Sequence, residues 1–252
     1  MFRKTSPTLF EVIAVTTSVM KQIILHTFGL TMVKPCIMIR AIVRSNQAKE
    51  VDRMFDSYNK VQKAVLETTL NLIIDKELQA TSISLIVKES GVSTGNLYHY
   101  FSSKEDIINE LYKAILRFNG EYVTKGLNNE DDSIQTRFHR AWHNVIDLAQ
   151  KYSKGFQFIE QYSFSPYIYE ESKIEAFKGC WCGPLERLYQ QAIDEGLFVP
   201  LKPQMMVHMN YGSIVYLLKG YQQDHLEITE DVAEQAILTC WNAVSRTKGW
   251  NE

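Results

Sequence analysis

Residues 81–105 read TSISLIVKESGVSTGNLYHYFSSKE, and the rest of the chain is organised around them. Ile83, Ile86 and Val87 recur at helical spacing, so they share one face. Gly91 then supplies the positive φ that ends a helix without a Cβ clash. Val92 is read as a buried pin in the turn, and Ser93 or Thr94 as the cap of a second helix from Thr94 to Tyr100. That helix carries Thr94, Gly95, Asn96, Tyr98 and His99 on its outer side, whereas Leu97 and Phe101 face inward. Ser102 and Glu105 fit a capping box that opens a further helix. Two helices joined by a glycine turn, the second bearing small polar and aromatic side chains, form the helix-turn-helix layout for double-stranded DNA.

Working outward, Asp56 or Ser57 caps a helix to about Lys76, with Val61, Val65, Leu66, Leu70, Ile73 and Ile74 as its apolar face. It completes a three-helix DNA-binding domain. Lys60 and Lys63, near its start, face either phosphate or solvent. Downstream, Ile107, Ile108, Leu111, Tyr112, Ile115 and Leu116 mark a fourth helix, the mechanical link from the DNA side into the body. Asp132 with Gln135 reads as a helix start, followed by the stripe Phe138, Ala141, Trp142, Val145, Ile146 and Ala149. Lys154-Gly155 reads as its break. Phe156 to Phe164 ends at Ser165-Pro166, because a residue before proline avoids helical geometry. Lys173–Gly179 and Gly183–Glu195 form a helix pair or one bent helix, Pro184 being tolerated in a first turn and Gly196 ending it. Two helices close the chain, at about 203–224 and 229–248. The first holds Gly212, Ser213 and Gly220, small residues that admit another helix. The second opens on Thr229, Glu230 and Asp231, a cap and acidic side chains suited to a helix N-terminus. Val232, Ala236, Thr239, Cys240, Ala243 and Val244 are read as its small face, with Ile237, Leu238 and Trp241 pointing elsewhere. Two apolar faces imply two partners, the chain's own core and a second copy.

Composition agrees with an all-α reading. The 252 residues are 45% hydrophobic and 22% charged, with only 6 Pro and 12 Gly to interrupt long helices. The net charge of −2 gives no global basic signature. Residues 1–53 carry eight Lys or Arg against three Asp or Glu, 54–104 carry five of each, and 105–252 carry 14 against 21. A neutral DNA-binding segment implies phosphate contacts through hydroxyls, backbone N–H groups and helix ends as much as through lysines. The acidic remainder faces away from DNA. Cys36, Cys180, Cys182 and Cys240 lack the spacing of a zinc knuckle or thioredoxin-like motif. They read as ordinary thiols of a reducing cytoplasm, with a redox-sensing Cys180–Cys182 pair as the sharper alternative.

The run Thr81-Ser82-Ile83, Ile86, Gly91-Val92-Ser93, Gly95, Leu97-Tyr98-His99-Tyr100-Phe101 and Ser103-Lys104-Glu105 closely resembles the N-terminal signature of TetR-type transcriptional regulators. The resemblance covers about Lys60 to Leu111. One departure stands out: the family's glycine after its first helix falls here at Glu77 or Leu78. What the resemblance implies is an all-α chain, with an N-terminal three-helix helix-turn-helix domain over 54–104 and a C-terminal helical ligand-binding and dimerisation domain over 105–252. It also implies a four-helix homodimer interface built from about 203–224 and 229–248.

Residues 1–53 stand outside this plan. Met54 is the preferred start of the chain, which makes 1–53 the product of an upstream start; a poorly ordered extension and a membrane-surface anchor are the alternatives. Lys21, His26, Lys34 and Arg40 interrupt its apolar run, so it supplies no span of roughly 20 apolar residues for a membrane helix.

Candidate site residues follow. The resemblance carries DNA contact onto Thr94, Gly95, Asn96, Tyr98, His99, Tyr100 and Lys104. Asn96 can pair bidentately with adenine, Gly95 permits close backbone approach, and the Tyr98 and Tyr100 hydroxyls and Lys104 can reach phosphate. Ser82 and Ser84, at the start of the preceding helix, face phosphate as well. In the body, aromatics are dense. Trp142, Phe158, Tyr162, Tyr167, Trp181 and Tyr189 are candidates to line a site for a flat or apolar small-molecule effector, with simple core packing as the alternative. His139 and His143 lie one turn apart without a Glu-x-x-His partner, so no metal or other cofactor is expected. No nucleophile elbow, phosphate loop or His-Glu-x-x-His occurs, so no catalytic residue is assigned. The reading is a one-component regulator, most simply a repressor, which binds a near-palindromic operator as a homodimer. A ligand-independent DNA binder and an enzyme or carrier for an aromatic molecule are its rivals.

Overall fold

The computed structural model describes residues 53–223 and 227–246. Residues 1–52, on which the start-site and extension readings fall, lie outside them. Ten helices lie wholly within the described residues. They are α1 Lys60–Ala80, α2 Ile83–Ser90, α3 Thr94–Tyr100, α4 Lys104–Val123, α5 Ile134–Lys151, α6 Ser153–Tyr162, α7 Glu170–Lys178, α8 Cys182–Asp194, α9 Pro203–Gln223 and α10 Glu230–Val244. Among the described residues there is no strand, only a bridge between Phe198 and Ser245 that ties the α8–α9 connection to the end of α10. The fold is all-α, as expected.

α1 packs on α2 and α3 and, on its other side, on α4 and α6. Its N-cap is Asn59, whose Oδ1 accepts from the N–H groups of Val61 and Gln62, both at 3.0 Å. Asp56, a proposed cap, instead pairs with Lys63 at 3.0 Å. The fold also begins earlier than Asp56: Met54 and Phe55 are buried. The Met54 methyl lies 2.6 Å from where a Cβ would stand on Gly155. That contact leaves no room for a side chain at Gly155. Lys154-Gly155 sits inside α6 and does not break a helix; the break comes at Tyr152, between α5 and α6.

Two further caps fall one residue from their expected places. Ser103 caps α4, its Oγ accepting from the Asp106 N–H at 3.1 Å. Asp106 Oδ2 accepts from the Ser102 N–H at 2.8 Å, one residue before the cap, so the capping contact is Ser103 with Asp106 and not Ser102 with Glu105. Ser133, not Asp132, caps α5. Asp132 binds Arg140 at 2.7 Å.

α4 runs through the middle of the molecule and touches α1, α5, α6 and α7. Its crossing with α7 is backbone on backbone: a Cβ on Gly120 would stand 2.0 Å from the Gly179 carbonyl oxygen. α5 is the hub of the body, contacting α8, α9 and α10 as well as α4 and α6. On α10 the buried face is Ala233, Ile237, Cys240 and Val244. Ile237 therefore belongs with the core-facing side, contrary to its expected placement, because it falls four residues after Ala233. Thr239 and Ala243 are exposed.

Candidate nucleic-acid interface

The helix-turn-helix is assembled by local sequence. Ser82 caps α2, its Oγ accepting from the Leu85 N–H at 3.2 Å and lying 3.0 Å from Ser84 Oγ. Gly91 takes φ 68°, ψ 7°, the left-handed conformation that ends α2. Ser93 caps α3, its Oγ accepting from the Asn96 N–H at 3.3 Å. Ile86, Leu97 and Phe101 are fully buried beneath the turn, with Ile83, Val87 and Val92 partly buried around them. Val92 is thus half a pin, not a wholly buried one.

This anchoring turns the remaining face outward. Ser82, Ser84, Thr94, Gly95, Asn96, Tyr98, His99 and Tyr100 are all exposed. Tyr98 is 51% and Tyr100 40% exposed, so neither ring is a core residue. The His99 and Tyr100 rings meet edge to face at 4.7 Å, and open space surrounds the Gly95 Cα. Serine hydroxyls, an amide, phenols and an imidazole stand exposed around α3 and at the start of α2. Such a surface can donate to phosphate and read base edges.

Lys104 is placed differently from the others. Its Nζ donates to the Leu78 carbonyl at 2.6 Å, tying the start of α4 to the end of α1. That end is strained. Glu77 takes φ 67°, ψ 162°, a conformation open chiefly to glycine, and it interrupts α1 one turn before Ala80. Glu77 is therefore the position of the missing family glycine, and Lys104 buttresses the carbonyl beside it.

The sequence reading missed the polar clamps that join this domain to the body. Lys154 on α6 donates to Asn71 on α1 at 2.5 Å. The Tyr58 hydroxyl donates to Glu110 on α4 at 2.6 Å; burial and this carboxylate acceptor raise the phenol's pKa. Asn109, buried on α4, donates to the Tyr167 carbonyl at 3.0 Å and accepts from the Tyr169 N–H at 2.7 Å. A polar residue on the apolar stripe of α4 was the available signal for Asn109; no sequence signal marks the other two.

The aromatic candidates of the body are packed against one another. Trp142, Phe158 and Tyr189 are fully buried, and Tyr162 and Trp181 nearly so. Trp142 Nε1 and Asn210 Nδ2 both donate to the Tyr189 hydroxyl, at 3.0 and 2.6 Å. Phe138, Phe198 and Trp241 extend the cluster edge to face. Tyr167 is 37% exposed on the α6–α7 connection. An open groove of about 340 Å³ lies instead between α5, α6 and α9, with Ala149, Phe156, Leu218, Tyr221 and Ile228 as its apolar wall and Gln150, Gln157 and Gln222 as polar tips. His139 and His143 face α10, at 2.8 Å from Glu234 and 3.3 Å from Glu230. Among the described residues no group of three or more His, Cys, Asp or Glu is placed to hold a metal ion.

Comparison with known proteins places this architecture. The model for bacterial regulatory proteins of the tetR family matches residues 65–111, and that for the tetracyclin repressor-like C-terminal domain matches 133–245. The HTH-type transcriptional repressor KstR2 of Mycobacterium tuberculosis is 32% identical over 157 residues, which cover 60% of this chain and 75% of that protein. The chain belongs to the TetR family. It is a transcriptional regulator, and like other TetR-family regulators it is a DNA-binding protein, not an enzyme. The HTH-type transcriptional regulator YfiR of Bacillus subtilis is 25% identical over 171 residues, covering 62% of this chain and 79% of that protein. Two solved TetR-like structures share the fold. One is a TetR family transcription regulator from Marinobacter aquaeolei, with TM-score 0.66 and 21% identity, over 74% of this chain and 96% of that one. The other is FadR of Bacillus subtilis in complex with stearoyl-CoA, with TM-score 0.61 and 17% identity, over 72% of this chain and 98% of that one. No helix among the described residues is long and apolar enough to cross a membrane.

Proposed function

We propose that this TetR-family regulator is a repressor that binds a near-palindromic operator as a homodimer and is released by an apolar or aromatic small molecule. The observation that carries the DNA half is the exposed outer face of α3 held on a fully buried Leu97. In a major groove, Asn96 reads a base edge and Gly95 allows close approach. Ser82, Ser84, Thr94, Tyr98, His99 and Tyr100 contact the backbone, joined by the N–H groups of Lys104 that Leu78 leaves over. The neutral charge of 54–104 makes affinity depend on geometry and on two copies more than on phosphate neutralisation. Asn96→Ala is expected to weaken a specific operator at least tenfold while leaving non-specific binding nearly unchanged, as read by titration of both DNAs at two salt concentrations. An equal fall in both would remove Asn96 from base readout.

The dimer reading rests on α9 and α10. Met209 and Tyr216 on α9 and Leu238 on α10 stand well exposed, and open space surrounds Gly212 and Gly220. A partner's helices laid on this face would bury those side chains and hold two copies of α3 about 34 Å apart. The effector reading rests on the α5–α6–α9 groove, whose apolar wall and amide tips suit an acyl or aromatic molecule. The FadR complex with stearoyl-CoA supports that class. Trp142, Phe158, Tyr162, Trp181 and Tyr189 then act as packed core that an effector would shift, not as lining of the groove. Reciprocal coupling of DNA and effector of about 1–3 kcal/mol is the expected scale. Leu218→Trp, which fills the groove, is expected to abolish the effector response and leave operator affinity in place.

A further inference from the structure

Between α7 and α8 the chain runs Gly179-Cys180-Trp181-Cys182-Gly183. The Cys180 and Cys182 sulfurs are 3.1 Å apart and share a hydrogen bond. The Cys182 N–H also donates to the Cys180 sulfur, at 3.4 Å. Cys182 opens α8, so this N–H is one that a helix start leaves without an internal partner. With both thiols neutral, Cys180 Sγ donates to Cys182 Sγ; once Cys180 loses its proton that bond reverses, and the Cys182 S–H and N–H can both donate to the Cys180 sulfur. The shared hydrogen bond, helped by the backbone N–H, brings the Cys180 thiol down to about 7 against the opposing effect of burial. The same shared hydrogen bond, with burial, pushes Cys182 up. Both side chains are partly exposed, whereas Cys240 is buried and burial raises its thiol to about 11. A partly exposed sulfur whose ionised form two donors stabilise, with a resolving thiol in contact, is the arrangement that oxidants attack first.

We propose that Cys180 and Cys182 form a peroxide-reactive dithiol, a modification site that hydrogen peroxide or an organic hydroperoxide converts to an intrachain disulfide across Trp181. The Cys180 thiolate attacks one peroxide oxygen; an S–O bond forms, the O–O bond breaks, and the departing hydroxide or alkoxide takes up a proton. Cys180 is now a sulfenic acid and the peroxide is reduced to water or alcohol. Cys182 then attacks the Cys180 sulfur; the S–S bond forms, the S–O bond breaks, and the leaving hydroxide takes the Cys182 proton as water. Two thiols and one hydrogen peroxide yield one disulfide and two waters.

The position makes the change felt. Trp181, between the two cysteines in sequence, is buried with its ring 5.0 Å from Tyr211 and 6.1 Å from Trp142. Gly179, one residue before Cys180, presents its carbonyl to Gly120 of α4. Closing a bridge over a single intervening residue turns the backbone of 180–182, and with it the Trp181 ring and the α7–α4 crossing.

The test uses the full chain, reduced, freed of reductant and titrated with hydrogen peroxide at neutral pH. Peptide mass mapping is expected to show the peptide holding both cysteines lighter by about 2 Da, the loss of two hydrogens, and restored by dithiothreitol. Cys182→Ser is expected to stop at a sulfenic acid on Cys180 that dimedone traps. Cys180→Ser is expected to slow oxidation of Cys182 at least about tenfold. Tryptophan fluorescence is expected to shift on oxidation in the parent chain and not in Cys182→Ser. Oxidation of Cys240 or Cys36 before the pair overturns the proposal. So does a cross-link from either cysteine to a third, or an unchanged rate in Cys180→Ser.

Discussion

Lys104 Nζ donates to the Leu78 carbonyl at 2.6 Å, and through it the first residue of α4 holds the last turn of α1. Removing the ammonium leaves that carbonyl without its charged donor. Lys104→Met is expected to lower stability by about 1.5–2 kcal/mol, read as a drop in urea midpoint at constant slope. Because an ammonium has three N–H groups, the same change is expected to reduce the salt dependence of operator binding by about one charge. Lost stability with an unchanged salt slope would restrict Lys104 to its structural contact.

Glu77 offers the opposite experiment. Its φ of 67° and ψ of 162° place a Cβ in a region that only glycine occupies at ease. Glu77→Gly is expected to raise stability by about 1 kcal/mol, the relieved strain exceeding the extra unfolded-state freedom of glycine. Thermal unfolding measures it. A loss would mean that the Glu77 side chain contributes more than its backbone costs.

Gly120 is fixed by what it touches. A Cβ there would stand 2.0 Å from a carbonyl oxygen of Gly179, a backbone atom that cannot rotate away. Gly120→Ala is expected to cost about 3 kcal/mol or to force α4 and α7 apart. Gly212→Ala, in open space on α9, is the control and is expected to stay near the parent value in a monomer while weakening the dimer. Equal behaviour of the two variants in denaturation would overturn this account of the crossing.

Asn109 holds the α6–α7 connection to α4 through its amide, donating to Tyr167 and accepting from Tyr169. Asn109→Leu preserves size and takes the side-chain partner from the Tyr167 carbonyl and the Tyr169 N–H, both on exposed residues, at an expected cost of about 1–2 kcal/mol. The first visible consequence is expected to be faster protease cleavage between Ser163 and Tyr169. Unchanged cleavage with lowered global stability would place the effect in α4 itself.

Much of the DNA-binding face was legible in the sequence because its causes are local. Gly91 ends α2 by its own φ, Ser93 caps α3 with its own hydroxyl, and the 3.6-residue period puts Leu97 under the helix and Asn96 outside it. Caps are legible only to within one residue, since neighbouring Ser and Asp residues offer competing hydroxyls and carboxylates one position apart. Ser103 and Ser133 won over Ser102 and Asp132 because each leaves its neighbour free for a second bond, Ser102 to Asp106 and Asp132 to Arg140. A helix apolar on two sides does not say which side meets its own core, and on α10 Ile237 joins Cys240 and Val244 there.

The sequence by itself determined the helix-turn-helix, the all-α character and the family, since these depend on residue type at short, regular spacing. Tertiary structure alone decided that Glu77 bears the strain of a missing glycine, that Gly120 must lack a side chain and that Lys104 braces α1. It alone also decided that the aromatic residues fill a core while a groove opens beside them. All but the Glu77 conformation turn on which distant groups share a few ångströms, and contact across 26 to 60 residues of chain leaves no periodic trace in the residues that make it.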